Sequence, residues 1–408
     1  MRKAATAALC GLAIPALFAG QARAQDLGAP VELADGVSLD PIFAARLRYE
    51  TVDQDGMAES AEALTLRMRL GAELKLAGGF ALLAEGEGTL ALADRYNDTL
   101  PRNGLEPFPV VADPESLELN RLQVSWARNG SGVTLGRQRI VLDDARFVGN
   151  VGWRQNEQTF DAVRGQTKLG PLALDATYAI SQRTVFGSDS PNGHFDGDIV
   201  LLNGGLDLRV FDVKAFAYLI DYDTRIAFSS QTYGVLATGE IALPAVGKLS
   251  GQASYARQTD YGSNPVSYGA DFWSAQLGIG LLGFTLTAGH EELGSDGGTT
   301  AFQTPLATLH AFNGWADMFL TTPPQGLRDT YVGIARSIAV PFLPGLKADL
   351  TWHEFDSDFG ALHYGSEWNA SLGFKIGPLA LLAKYANYDA DQFARDTSKF
   401  WLQAEASF

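Results

Sequence analysis

Residues 63–76, ALTLRMRLGAELKL, decide the fold. Leu64, Leu66, Met68, Leu70, Leu74 and Leu76 alternate with Thr65, Arg67, Arg69, Glu73 and Lys75. Successive side chains on a strand point to opposite faces, so this segment has one apolar and one charged face. The pattern returns at 365–376, where Trp368, Ala370, Leu372, Phe374 and Ile376 alternate with Glu367, Asn369, Ser371 and Lys375. The last ten residues repeat it, with Phe400, Leu402, Ala404, Ala406 and Phe408 set against Gln403, Glu405 and Ser407.

Extended along the chain, the alternation predicts about 18 strands of 9 to 15 residues, the length a tilted strand needs to cross a bilayer. Their starts fall near 42, 63, 80, 116, 132, 158, 171, 198, 213, 231, 248, 267, 284, 328, 346, 365, 379 and 399. Tight links at 77–79, 129–131, 170–171, 211–212, 244–247, 281–283, 341–345 and 377–378 alternate with long ones, the longest at 94–115, 141–157, 184–197 and 292–327. Short periplasmic turns opposite long extracellular loops are the asymmetry of outer-membrane barrels. An all-β transmembrane antiparallel barrel follows, with an even strand count that leaves both termini in the periplasm. Tyr49, Trp126, Tyr178, Tyr218, Tyr255, Trp273, Trp352, Trp368 and Tyr385, near strand ends, are expected to form interfacial girdles. A soluble sandwich or propeller also alternates apolar and polar residues and is the competing reading.

Arg2, Lys3, a short apolar run and the small residues Ala22 and Ala24 predict a secretory signal over 1–24 and one domain over 25–408. The only cysteine, Cys10, lies in the leader, so the mature chain would have no disulfide or thiolate chemistry. Loss of Arg2, Lys3 and Arg23 takes the net charge from −16 to −19, which disfavours nucleic acid as a partner. No run of about 18 apolar residues offers a membrane helix.

With the apolar faces toward lipid and lipopolysaccharide, Arg46, Arg48, Arg67, Arg69, Arg121 and Lys384 line the lumen together with Glu50, Glu85, Glu87, Asp175, Asp349 and Glu367. Such a mixed wall fits a neutral or mildly anion-preferring channel, and also cross-strand ion pairs that brace the barrel. The most basic window holds Arg137, Arg139, Arg146, Arg154 and Arg164 beside Phe147, Trp153 and Phe160. A loop that apolar is expected to fold into the barrel, where its guanidiniums form a constriction for carboxylates, or else plug or brace it. The segment 292–327, with His310, Trp315 and Asp317, is likewise expected to tuck inward, His310 as a buried, hydrogen-bonded residue or a ligand.

Paired acids at 53/55, 196/198, 221/223, 356/358 and 389/391 fit solvated acidic loops, or loops that bind Ca²⁺ or share divalent ions with anionic lipid. The chain carries no HExxH, no G-x-S-x-G and no phosphate-binding glycine loop, and its Ser, His and Asp residues assemble into no triad by spacing. Nothing in it reads as an enzyme.

Two stretches, LGRQRI (135–140) continuing to DDARFVGNVGWRQNEQTFD (143–161), and TPLATLHAFNGWAD (304–317), resemble the alginate export family of outer-membrane proteins. The resemblance implies an 18-stranded barrel and passive passage of an anionic polysaccharide through an arginine-lined, loop-constricted pore. It would place Arg137, Arg139, Arg146 and Arg154 near the constriction. A general or small-anion porin is the alternative cargo reading; a barrel enzyme or an adhesin barrel belongs to a different class. Phe408 resembles the C-terminal signal read by the outer-membrane assembly machinery, which is the partner it implies.

Overall fold

The computed structural model describes residues 28–243, 247–340 and 343–408; the leader lies outside them. Eighteen antiparallel strands form the wall: β1 (Val37–Gln54), β2 (Ala61–Lys75), β3 (Phe80–Arg95), β4 (Ser116–Arg128), β5 (Ser131–Gln138), β6 (Thr159–Leu169), β7 (Leu172–Arg183), β8 (His194–Asp207), β9 (Phe211–Tyr222), β10 (Ser230–Leu243), β11 (Gly247–Asp260), β12 (Gly269–Leu281), β13 (Phe284–Leu293), β14 (Leu327–Val340), β15 (Leu343–Asp356), β16 (His363–Ile376), β17 (Leu379–Ala390) and β18 (Thr397–Ser407). Each pairs with its sequence neighbours, and β18 closes on β1 from Ala44 opposite Ser407 to Gln54 opposite Thr397. Phe43 and Phe408 exchange backbone hydrogen bonds of 3.2 and 2.8 Å across that seam. Closure leaves the sheet no edge, as a strand-built membrane protein requires.

The exposed face of the wall is the apolar one. On β2, Leu70 is 57% exposed while Arg67, on the opposite face, is 1% exposed. A soluble sandwich would bury the leucine and expose the arginine, so the alternation here belongs to a barrel in lipid with a polar interior. No described helix is long and apolar enough to cross a membrane.

Two expectations need correction. The link between β8 and β9 lies at 208–210, and Phe211 and Asp212 already belong to the strand. Tyr218 is no girdle residue: it is 3% exposed and points inward with Phe216, Ile220 and Tyr222. β9 is apolar on both faces along this stretch because its inner side packs against a loop rather than water.

Candidate functional site

That inner packing is the start of the site. The connections 139–158 and 294–326 both enter the lumen, where Ile140, Leu142, Val148, Phe302, Leu306 and Phe319 join Phe160, Ile199, Phe216 and Phe272 of the wall in one buried cluster. The two loops also bind each other. Val148 bridges Leu306 in parallel, the Gly149 N–H donates to the Leu306 carbonyl at 2.8 Å, and the Thr308 N–H donates to the Ala145 carbonyl at 3.0 Å. Gly149 permits this approach, since a Cβ there would meet Thr308 Oγ1 at 2.1 Å. Val151 sits at φ 50°, a conformation costly for a β-branched residue, and its N–H donates to Thr308 Oγ1 at 3.2 Å.

The candidate arginines fall into three groups. Arg46, Arg48, Arg67 and Arg69 stand side by side on β1 and β2, Arg46 directly opposite Arg67. Like charges opposed across strands repel unless neutralised. Glu405 takes both Arg46 and Arg67, Glu87 takes Arg69, and Arg48 lies 3.5 Å from Asp113. Loop 139–158 lies over this cluster, its Trp153 carbonyl accepting from Arg46 at 3.0 Å and from Arg48 at 2.5 Å.

Arg146 and Arg154 anchor the loop more deeply. Arg146 makes a two-pronged contact with Glu291, at 2.9 and 2.7 Å, and reaches Thr304 and Asn313. Arg154 bridges Glu50 and Asp317.

Arg137 and Arg164 lie on strands β5 and β6 rather than in the loop. Arg164 faces the lumen along β4–β6 together with Arg121 and Arg139, less buried than the first two groups; Arg137 does not join them, because its cross-strand partners are Leu122, 53% exposed on the lipid side, and Asp161, while Gln138 after it is the inward residue. Arg121 pairs with Glu85, Arg137 with Asp161, Arg139 with Glu157 and Arg164 with Asp175. Burial works to raise the Glu157 carboxyl, but Arg69 and Arg139 bring it down to about 2.

At the meeting of the loops, Trp153 stacks on His310 with ring centres 4.6 Å apart and planes 5° from parallel. Burial pushes the His310 imidazole down to about 3, despite the pull of Asp317, so it is neutral. Its Nδ1 donates to Asp317 at 2.7 Å, and its Nε2 accepts from Lys384 Nζ at 2.8 Å. Lys384 Nζ lies 3.9 Å from the Trp153 ring centre and 3.7 Å from that of Trp315, a cation between two aromatic faces. Burial alone would raise the Asp317 carboxyl; His310, Lys399 and Arg154 hold it well below the usual range. The Trp315 and Ala316 N–H groups donate to Glu367 Oε1, at 2.5 and 2.9 Å.

Several participants escaped the sequence reading. Asp113 draws a third loop, 96–115, into the site by accepting from the Gln155 N–H at 2.8 Å. Glu291 and Lys399 hold Arg146 and Asp317 from distant strands. Strand parity alone would have placed Glu291 and Lys399 inward, whereas nothing in the sequence announces Asp113. The paired acids at the loop end already receive protein donors: Ser60 to Asp53, Ser263 to Asp221, Arg328 to Asp358 and His363 to Asp356. Among the described residues no three acidic, histidine or cysteine side chains converge as a bound cation would need.

Residues 40–184 match the alginate export family. That window runs from β1 through β7 and contains loop 139–158, so the resemblance carried by 135–161 is borne out, while 304–317 lies beyond it. The crystal structure of Acinetobacter baumannii OccAB3 is similar at a TM-score of 0.71 and 14% identity, over 91% of this chain and 99% of that one. Pseudomonas aeruginosa OpdO gives 0.71 and 15%, over 91% and 97%. Acinetobacter baumannii OccAB4 gives 0.72 and 12%, over 91% and 98%. At such identities the likeness is one of fold. A comparison with curated proteins returned no match. The alginate-export match and the closed, lipid-faced barrel make this a bacterial outer-membrane pore protein.

Proposed function

We propose that the barrel passes an anionic polysaccharide such as alginate, or uronate oligomers derived from it, along the wall formed by β4–β7. The supporting observation is the partly exposed lumenal row Arg121, Arg139 and Arg164, whose side chains are 15–31% exposed. Guanidiniums that keep a water-facing side beside their own carboxylates attract further carboxylates, and low-dielectric surroundings strengthen each charge. Planar guanidiniums also suit carboxylates geometrically. Arg46, Arg48, Arg67 and Arg154 serve differently in this reading, holding the loops that narrow the lumen.

A second reading, a porin for small anions without a polysaccharide role, is favoured by the mutual docking of loops 139–158 and 294–326, which fills much of the interior. Planar-bilayer recordings of the Arg121→Ser/Arg139→Ser/Arg164→Ser variant separate the two. The folded barrel should persist with a reversal potential shifted toward lower anion preference, and uronate oligomers should block the variant less than the parent. At about 1 M salt, where the Debye length is about 3 Å, the difference should shrink. Anion preference without uronate block selects the small-anion porin; identical selectivity and block in parent and variant removes both.

A further inference from the structure

At the end of the barrel where the tight links 129–130 and 170–171 lie, a space of about 720 Å³ opens between β4–β9 and loop 139–158. A second space, of about 420 Å³, lies between β9–β16 and the two inserted loops. Leu142 and Asp143 line both, so one turn of loop 139–158 stands between them.

The backbone of that turn is fixed. The Leu142 N–H donates to the Val148 carbonyl at 3.0 Å and the Ala145 N–H to the Leu142 carbonyl at 2.9 Å, while the Leu142 side chain belongs to the buried cluster. Side chains alone tie the turn to the wall. Asp143 pairs with Lys214 of β9 and accepts from Asn203 of β8 at 3.2 Å, and Asp144 accepts from Gln252 of β11 at 2.6 Å.

The tie to Lys214 differs in kind from the ion pairs deeper in the barrel. Its side chain is 40% exposed, whereas those of Arg146 and Glu291 are 4% and 10% exposed. An ion pair open to water contributes little and exchanges readily for another partner of the same charge. An ammonium group is a compact point charge with rotatable donors, so a carboxylate on an entering solute can take the place of Asp143 without a demanding geometry. A neutral solute has nothing to exchange. Arg164 and Lys168 line the same space, so an entering anion meets further cations beside Lys214.

We propose that the Asp143–Lys214 contact is a strap closing the passage between the two spaces, and that an anionic solute opens it by drawing Lys214 off Asp143, which makes Lys214 a specificity-determining residue of the pore. The opening step rests on the reading of the barrel as an anion pore, for polysaccharide or for small anions alike.

Liposome swelling in glucose and in sodium glucuronate at low ionic strength tests the strap and its opening separately. Lys214→Met and Asp143→Asn each break the strap. Asparagine suits the left-handed backbone at 143, where φ is 54°, and both side chains reach into open space, so both variants should keep the heat-resistant gel migration of the parent. Glucose entry should rise in both, by about fivefold at most because the lost pair is a water-exposed one. Preference for glucuronate over glucose should move in opposite directions: down in Lys214→Met, which loses the cation, and up in Asp143→Asn, which leaves Lys214 without its carboxylate. The double variant should pass glucose no faster than either single one, since the same contact is broken in all three. Unchanged glucose entry in both single variants, or a glucuronate preference that moves the same way in both, would overturn the proposal. A parent with no preference for glucuronate would defeat the anion-pore reading and the opening step with it, whereas unchanged glucose entry defeats the strap alone.

Discussion

Arg146 shows what holds a charge inside the barrel. It is 3% exposed, and its charge is met by Glu291, 145 residues away in sequence, through two hydrogen bonds. Removing one member of a buried pair leaves the other uncompensated at about 3–5 kcal/mol. Arg146→Met should therefore lower the temperature at which the barrel loses its heat-resistant gel migration, or free loop 139–158 to trypsin; adding Glu291→Leu should recover much of the loss. Unchanged migration and protection in the single variant would show that water reaches Glu291. The arginine itself is conspicuous in the sequence among Phe147 and Trp153. Its partner is not, because ion pairing across a barrel joins strands whose order in space follows closure rather than spacing.

At the scale of elements, the strands were legible and the fit between loops and wall was not. Period-two alternation located β2, β16 and β18 because lipid on one side and water on the other impose opposite demands on neighbouring residues. It misplaced Tyr218 because the inner face of β9 meets Phe147 at 6.2 Å rather than water, so both faces are apolar. The aromatic content of the loops did point inward, but the latch of Trp153, His310, Asp317 and Lys384 joins three segments that no local pattern connects. The latch has a pH signature. A docked His310 titrating at about 3 rather than its ordinary 6.5 binds fewer protons than an undocked one, so docking is strongest above about 6.5 and weakens as pH falls from there toward 3. Glu157, at about 2 against an ordinary 4.5, keeps its full contribution above 4.5 and loses it only as pH falls through about 2. Channel flicker or tryptic cleavage in 139–158 should therefore increase between pH 7.5 and pH 5, and His310→Gln should flatten the response. Equal flicker and cleavage at the two pH values in the parent would rule the latch out as the titrating element.

For the whole molecule, the decisive property is direction across the membrane. The tight links at 129–130, 170–171 and 377–378 lie at one end of the barrel, and the long connections, including 96–115, 184–193 and 294–326, arise from the other. Short turns face the periplasm in bacterial barrels, which places the loop end, with its acids Asp189, Asp223 and Asp391, outside the cell. The same arrangement has both loops enter the lumen from outside, so the latch and the arginine row would meet a solute in opposite order from the two sides. Cys10 is the only cysteine and lies in the predicted leader, so single thiols can be introduced without a competing background. Ser188→Cys and Thr299→Cys, both at exposed loop positions, should react with a membrane-impermeant maleimide on intact cells. Pro171→Cys, in a tight link, should react only after the outer membrane is opened. Labelling of Pro171→Cys on intact cells, with Ser188→Cys and Thr299→Cys protected, would invert the barrel and with it the side from which the loops enter the lumen.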